Sequence, residues 1–428
     1  MFAPYRKVFS RPGSLAFTLA GLLARLAGPM CGVSVVVLIA ERRGSYGLAG
    51  AVSALGVAAG AVLMPLIGRL VDRYGQARVS VPTVLTGALP LVGLLLCVRS
   101  GAPDWTLFAC WAASATVPNV GGMARARWAH LHREDEATRH RANALEQALD
   151  ELCFMTGPVV AMALCTGVAP EAGLITAGAL GVTGVLLFAA QRSTEPPLAP
   201  VAARTSGSSG SSDAPRGARR GGMAVGGGLG VLLLTFLATG VVFGSMEVST
   251  IAYADGLGQK PAAGVLLGLV AAGSCVSGLV FGALRLRREP EGRLLIGVAV
   301  MAGLMLLPLA AGLSGSGLTV LGAALFVAGS GTAPTMVSGM TLCQELLPPG
   351  RLNEGMALAV SAILVGISAG AALGGAVADH ASPGTGYLIP AAAAALAALT
   401  ALVGRPRLRA PRPTGAPHLP APAPAPVC

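Results

Sequence analysis

Gly68-Arg69-Leu70-Val71-Asp72-Arg73-Tyr74-Gly75-Gln76-Ala77-Arg78 is the stretch on which the reading of this chain turns. It joins two long apolar runs, and a weakened copy, Gly282-Ala283-Leu284-Arg285-Leu286-Arg287, follows 214 residues later. Thr116-Val117-Pro118 returns as Thr332-Ala333-Pro334 at an offset of 216, and Arg141-Ala142-Asn143 as Arg351-Leu352-Asn353 at 210. Each match is short, but all three share a spacing close to half of the 428 residues. Two similar halves are therefore expected. In a membrane, such halves meet at a central interface that can open to one side and then the other, the geometry of a secondary transporter.

Composition sets the class. The chain is 54% hydrophobic and 11% charged, with a mean hydropathy of +0.70, too apolar for a soluble protein of this size. A span needs about 20 mostly apolar residues. Windows of that kind recur at 14–40, 47–68, 80–99, 105–125, 143–168, 171–190, 225–250, 261–284, 292–313, 317–343, 353–378 and 384–404. In lipid the backbone must satisfy its own hydrogen bonds, and no period-2 barrel pattern is present, so these windows read as helices. The expected fold is an all-α polytopic membrane protein, twelve transmembrane helices in two pseudo-symmetric six-helix bundles, 1–190 and 225–404. Between them, 191–224 carries Pro196-Pro197, Ser206-Gly207-Ser208-Ser209-Gly210 and Arg219-Arg220 and reads as a flexible cytoplasmic linker. The Pro-, Ala- and Arg-rich tail 405–428 reads as disordered.

The arginines set the orientation. With the amino terminus cytoplasmic, 25 basic residues fall on the inner side and four on the outer, namely Arg42, Arg43, Arg99 and Lys260. Both termini are thus expected in the cytoplasm. The net charge of +11 then faces an anionic leaflet and requires no nucleic acid. Two lysines against 28 arginines point to a high-GC bacterial genome, so the expected location is the bacterial cytoplasmic membrane and the partner is the bilayer, around a monomer. The first apolar run ends in Glu41-Arg42-Arg43, without a small-residue cleavage site, so no cleaved signal peptide is expected. The eight cysteines lack paired spacing and read as small core residues.

The loop quoted at the outset resembles the signature of the major facilitator superfamily, Gly-x-x-x-Asp-Arg-x-Gly-Arg-Arg/Lys. Gly68 lets two helices approach, Gly75 permits a tight turn, and Asp72, Arg73 and Arg78 match. The resemblance implies that fold, a small-molecule cargo, the proton gradient rather than a cofactor as energy source, and a latch in this loop that closes the cytoplasmic side. Gln76-Ala77 depart from the two-basic ending. An Asp at this level can accept from a neighbouring helix start or pair with an Arg. Gly157-Pro158 in the fifth span matches part of the pattern of drug/proton antiporters, without the spaced glycines that precede it there; a packed kink is the plainer reading.

Ionisable residues inside spans cost a few kcal/mol unless paired or hydrated. Arg25 lies midway along the first span and is expected to pair with Asp150 or Glu151 of the fifth, as part of the cavity or as a fixed structural bridge. Glu146 is one helical turn before Asp150, on the same face, and reads as structural, at the cytoplasmic end near Arg141. Glu247, deep in the seventh span, is the expected proton carrier; the alternative places it at the outer surface. Asn119 and Thr335, with Thr116 and Thr332, interrupt the fourth and tenth spans and are candidate cargo contacts. Pro118 and Pro334, with Gly157-Pro158, are candidate hinges. The charge-mixed stretch from Arg125 to Arg141 reads as a solvated loop, its His130 and His132 lacking the acid or Cys set a metal requires. No nucleophile elbow, metal spacing or phosphate loop supports an enzyme or an ATP-driven pump. Low aromatic content and spans rich in Ala, Gly, Val and Leu favour proton-coupled efflux of a hydrophobic or amphipathic compound. Uptake of a sugar or metabolite is the alternative, and a non-transporting sensor or scaffold the second class.

Overall fold

The structure is a computed structural model that describes residues 6–198, 227–259, 262–284, 289–347, 350–380 and 383–409. The first half contains α1 (Ser14–Arg43), α2 (Tyr46–Tyr74), α3 (Gln76–Ser100), α4 (Asp104–Ser114), α5 (Val120–Leu131), α6 (Glu136–Gly167) and α7 (Ala172–Ala190). The second contains α8 (Gly227–Gly256), α9 (Ala262–Ala283), α10 (Pro290–Leu304), α11 (Leu306–Leu313), α12 (Gly317–Gly329), α13 (Thr332–Leu346), α14 (Leu352–His380), α15 (Leu388–Val403) and α16 (Arg405–Leu408). By length and composition, eleven segments can cross a membrane, with α10–α11 and α12–α13 each counted as one. The short pair α4–α5 makes the twelfth crossing, and no strand occurs among the described residues.

The fourth span departs from the continuous helix 105–125. It stops at Ser114 and restarts at Val120, continuing to Leu131. Pro118, lacking an N–H, sits in the break, and the Asn119 side chain accepts from the Gly122 amide at 3.0 Å, giving the new helix its cap. The related tenth span is also interrupted, at Ser330-Gly331. The restart carries Arg125, Arg127 and Trp128 into the bundle, where all three are buried. This corrects the solvated-loop reading of that stretch, which has its turn only at His132 and beyond.

Close approach of small residues joins α8 to α14. Gly240 and Gly244 rest on the Ile363 and Ile367 carbonyls, while Gly366 and Gly370 rest on those of Leu237 and Val241. This reciprocal small-xxx-small packing replaces the hydrophobic effect, which gives no drive between helices in lipid. Of the expected linker, Arg192–Thr194 forms a helical turn against the first half, with Thr194 buried; residues 195–198 follow it, and 199–224 lies outside the described residues. The expected disordered tail instead begins with α16, because Leu408 is buried in the second half's core; 410–428 lies outside the described residues.

A short helical turn at Val8–Ser10 tucks under the first half. Phe9 and Phe17 meet Trp128 at centroid distances of 6.0 and 4.6 Å, and His132 stacks on its other side at 5.8 Å. The His132 Nε2 lies 3.2 Å from the Val8 carbonyl. Nearby Lys7 donates to Asp135, which also caps α6 through the Thr138 amide. Burial lowers the His132 pKa, with Arg11 and Lys7 adding to the effect, and the Lys7 and Thr138 hydrogen bonds hold Asp135 far below the carboxylate range. His132 therefore supports the fold in its neutral form. That support is complete above its unfolded value of about 6.5 and is lost as pH falls through the lower folded value, while Asp135 stays ionised. Between pH 7 and 5, amides of residues 7–11 are expected to exchange faster after correction for intrinsic rates, with α6 unchanged. Equal protection at both pH values would show that His132 does not hold the turn.

Candidate functional site

A buried charge network sits at the level of Glu146, Asp150 and Glu151 on α6. Glu146 and Asp150, four residues apart, both face α1. The Arg25 Nη1 meets Glu146 Oε2 at 2.7 Å and Asp150 Oδ1 at 2.9 Å. Arg125 of α5 closes the set by donating to Asp150 Oδ2 at 2.7 Å. The Trp128 indole donates to Glu146 Oε1 at 2.6 Å, and Arg25 Nε donates to the Gly21 carbonyl. Two cations thus meet two carboxylates. Asp150 is 22% exposed at its side chain, and the other three are exposed by 8% or less. The expected Arg25–Asp150 pair is present. Glu146 is the second partner of Arg25, inside the bundle and away from the cytoplasmic end where it was expected, because α6 carries it more than two turns beyond Glu136.

Glu151, one residue on, turns about 100° around the helix and leaves Arg25 to others. It reaches across to the second half, where Ser274 of α9 donates to its Oε1 at 2.9 Å. Gln147 donates to the same oxygen, and Thr332 donates to Ser274 at 2.8 Å. Glu151 makes no ion pair among the described residues. One turn further along α6, Phe154 and Met155 are 58% and 42% exposed. Glu247 is exposed on α8 and likewise has no ion pair among the described residues. It lies three turns beyond Phe236, on the same face, and Phe236 packs on Gly339 of α13. Asn119 is occupied as a helix cap, although its Nδ2 is buried without a partner. Thr335 turns away: it donates to the Gly331 carbonyl and packs on Gly297 inside the second half. Of the hinge candidates, Pro118 breaks its span, Pro334 sits in the first turn of α13, and Gly157-Pro158 lie in an unbroken α6. There Gly157 faces Pro29 so closely that a Cβ would stand 2.9 Å away.

At the arginine-rich end the halves are shut. Asp72 takes the start of α14: it accepts from the Asn353 amide at 3.0 Å, Asn353 Nδ2 at 2.8 Å and the Glu354 amide at 2.8 Å. A carboxylate on a helix amino terminus satisfies orphan N–H groups and the helix dipole together. Arg69 donates to Glu354 at 2.7 Å. Gly68 lies against the Asn353 carbonyl, where a Cβ would be 2.6 Å from the oxygen. Arg73 stacks on Tyr74, Arg78 is exposed, and Gly75 turns the chain at φ +98. On the other flank Asn143 donates to Thr341 and Gln344, both at 3.1 Å, and His140 lies 3.2 Å from the Phe281 carbonyl. Arg139 pairs with Glu345, and Arg293 with Glu136.

Residues 17–349 match the family model described as Major Facilitator Superfamily. The chain belongs to the Major Facilitator Superfamily. The superfamily's fold is also that of its structural neighbours. A bacterial homologue of the iron transporter ferroportin, in an outward-facing state, superposes with a TM-score of 0.70 at 16% identity, covering 93% of this chain and 100% of the other. The human organic anion transporter MFSD10 gives 0.64 at 18% identity, covering 93% and 99%. A variant of the E. coli fucose:proton symporter FucP gives 0.60 at 14%, covering 92% and 99%. In sequence, the uncharacterized MFS-type transporter y4rN of Sinorhizobium fredii (strain NBRC 101917 / NGR234) is 29% identical over 385 residues, 87% of this chain and 90% of that one.

The departure from the superfamily loop pattern has a structural reason. Gln76 is buried: it accepts from Arg127 Nε at 2.8 Å and donates to the Met123 carbonyl. A cation at 76 would face the Arg127 guanidinium, itself buried and 3.9 Å above the Phe188 ring. Arg127 also donates to the Phe188 and Gln191 carbonyls and to Thr194. Ala77 donates its amide to Glu195, so the first linker residues are fastened to the latch loop. Sequence reading missed Arg125, Arg127, Trp128 and Ser274. The available signal was Asn119, a helix cap placed just after a proline.

Proposed function

We propose that this secondary transporter of the superfamily exports a hydrophobic or amphipathic small molecule across the bacterial cytoplasmic membrane in exchange for protons, with Glu151 and Glu247 as the carriers. The observation that carries the reading is charge balance. Arg25 and Arg125 are matched by Glu146 and Asp150, whereas Glu151 and Glu247 have no cation against them among the described residues. An acid in a span with no counter-ion is costly to keep charged in lipid, which suits it to carrying a proton. Glu151 also bridges the halves through Ser274, so its charge state bears on whether they part. The arginine-rich end, cytoplasmic by the distribution of basic residues, is the shut one, which supports a crevice open to the outside. The exposed apolar side chains of α6 one turn from Glu151, Phe154 and Met155, support an apolar cargo.

The test is transport of a panel of fluorescent amphipathic dyes in proteoliposomes, with and without an imposed pH gradient. Glu151→Gln keeps an oxygen for Ser274 and removes the charge. It is expected to abolish gradient-driven accumulation while leaving dye exchange at equal pH, and Glu247→Gln to weaken accumulation. Full gradient-driven transport in the double variant would overturn the reading.

A further inference from the structure

The seam between α8 and α14 holds an apolar groove that shares no residue with the charge network. It is an open groove of about 510 Å³ lined by Gly230, Leu233, Leu234, Leu237 and Ala362, with Gly227 and Arg407 at one end. Leu234 is more than half exposed. From Gly227 to Leu237 is ten residues, about 15 Å of helix, the depth of one leaflet of a hydrocarbon core about 30 Å thick. The end that holds Arg407 is the arginine-rich end of the molecule, where this leaflet meets water.

Arg407 is placed by the fold. Leu408 beside it is buried with Val231 and Leu347, and the Gly404 amide donates to the Thr400 carbonyl. The stem of Arg407 then lies against Gly227, and its carbonyl against Gly228. A side chain at Gly228 would collide with that carbonyl, and one at Gly227 would crowd the stem. Arg407 is exposed and makes no ion pair among the described residues, and Arg405 and Arg409 beside it are exposed as well. An apolar channel one leaflet deep, with a fixed cation at its mouth, matches one kind of molecule in a membrane, an amphiphile with an anionic head.

We propose that the α8–α14 seam is a binding site for an anionic phospholipid, its acyl chain along Leu233, Leu234 and Leu237 and its phosphate on Arg407. The acyl chain fills the space that Gly230 and Ala362 leave between the helices, and the guanidinium forks onto two phosphate oxygens. Because α14 is also the helix on which Asp72 closes, lipid in this seam braces the helix that carries the gate.

Native mass spectrometry of the full chain, released from detergent with phosphatidylglycerol or phosphatidylcholine added, tests the site. The wild type is expected to retain phosphatidylglycerol over phosphatidylcholine. Arg407→Gln should cut phosphatidylglycerol retention about fivefold, the worth of one basic residue near an anionic headgroup. Leu234→Trp fills the groove with the charge intact and should reduce retention of both lipids. Arg133→Gln, at an exposed position away from the seam, should change neither. Equal losses in Arg407→Gln and Arg133→Gln, or none in Leu234→Trp, would overturn the site. A chain ending at Arg409 tests the protein's own tail as occupant: unchanged retention supports the lipid, and a rise on truncation overturns it.

Discussion

Replacing Arg25 by methionine is expected to destabilise the protein by about 3–5 kcal/mol, the usual cost of stranding a buried charge. Glu146 would lose the cation 2.7 Å from it and keep only the Trp128 indole. Asp150 would keep Arg125 alone. Thermal unfolding in detergent, followed by intrinsic fluorescence, reads the loss directly, since Trp128 touches the network. A second variant separates fold from function. Arg25→Met with Glu146→Met removes one cation and one anion together, leaving Arg125 and Asp150 as a closed pair. Apolar replacement of a whole buried pair is often neutral, so the double variant should recover most of the stability. Transport should stay impaired if the network also serves the crevice through Asp150, its partly exposed member. Recovery of full transport with stability would make the Arg25–Glu146 pair a structural bridge and nothing more.

How much of this network the sequence disclosed depends on spacing. Glu146 and Asp150, four apart on one span, announce a shared helix face, and a lone arginine midway along the first span has few other partners in lipid. Arg25–Asp150 was legible for those reasons. Arg125 was not, because hydropathy alone gives the fourth span its end near 125, and polar residues beyond an apparent end look solvated. The break at Ala115–Asn119 moves that end to Leu131, and only the Pro118-Asn119 pair hinted at it. The same shift explains Gln76: its buried partner Arg127 lies 51 residues away on a helix whose end was misplaced. Glu151 illustrates another boundary. Its neighbour Asp150 was the better reading for Arg25 only once the 100° step between them was placed against α9, and no pattern along the chain names Ser274 as the residue facing it. The twofold repeat was expected from three short matches, of which Arg141–Asn143 and Thr332–Pro334 lie within helices α6 and α13.

The gate gives the largest expected change in conformation. Asp72 holds the second and third amides of α14, those of Asn353 and Glu354, and the Asn353 side chain with two oxygens. Asparagine at 72 retains one acceptor, and its amide group would face the donors that the second oxygen now takes. Hydrogen bonds to a charged group contribute about 1.5–3 kcal/mol, and a carboxylate at a helix start up to about 1 more. Asp72→Asn should therefore favour opening at the arginine-rich end by about 2–3 kcal/mol, a shift of roughly thirty- to hundred-and-fifty-fold. Spin labels at Tyr74 and Arg351, read by double electron–electron resonance, should show the longer separation gain at the expense of the shorter. Gly68→Val supplies the steric counterpart, since its Cβ would stand 2.6 Å from the Asn353 oxygen while every charge is kept. Both variants should move the distribution the same way, one by removing attraction and the other by blocking approach. Adding salt should weaken the wild-type closure, in which Arg69–Glu354 is partly exposed, and leave Gly68→Val unmoved. An unchanged distribution in Asp72→Asn would mean that the Arg69 and Asn143 contacts suffice to keep the gate shut.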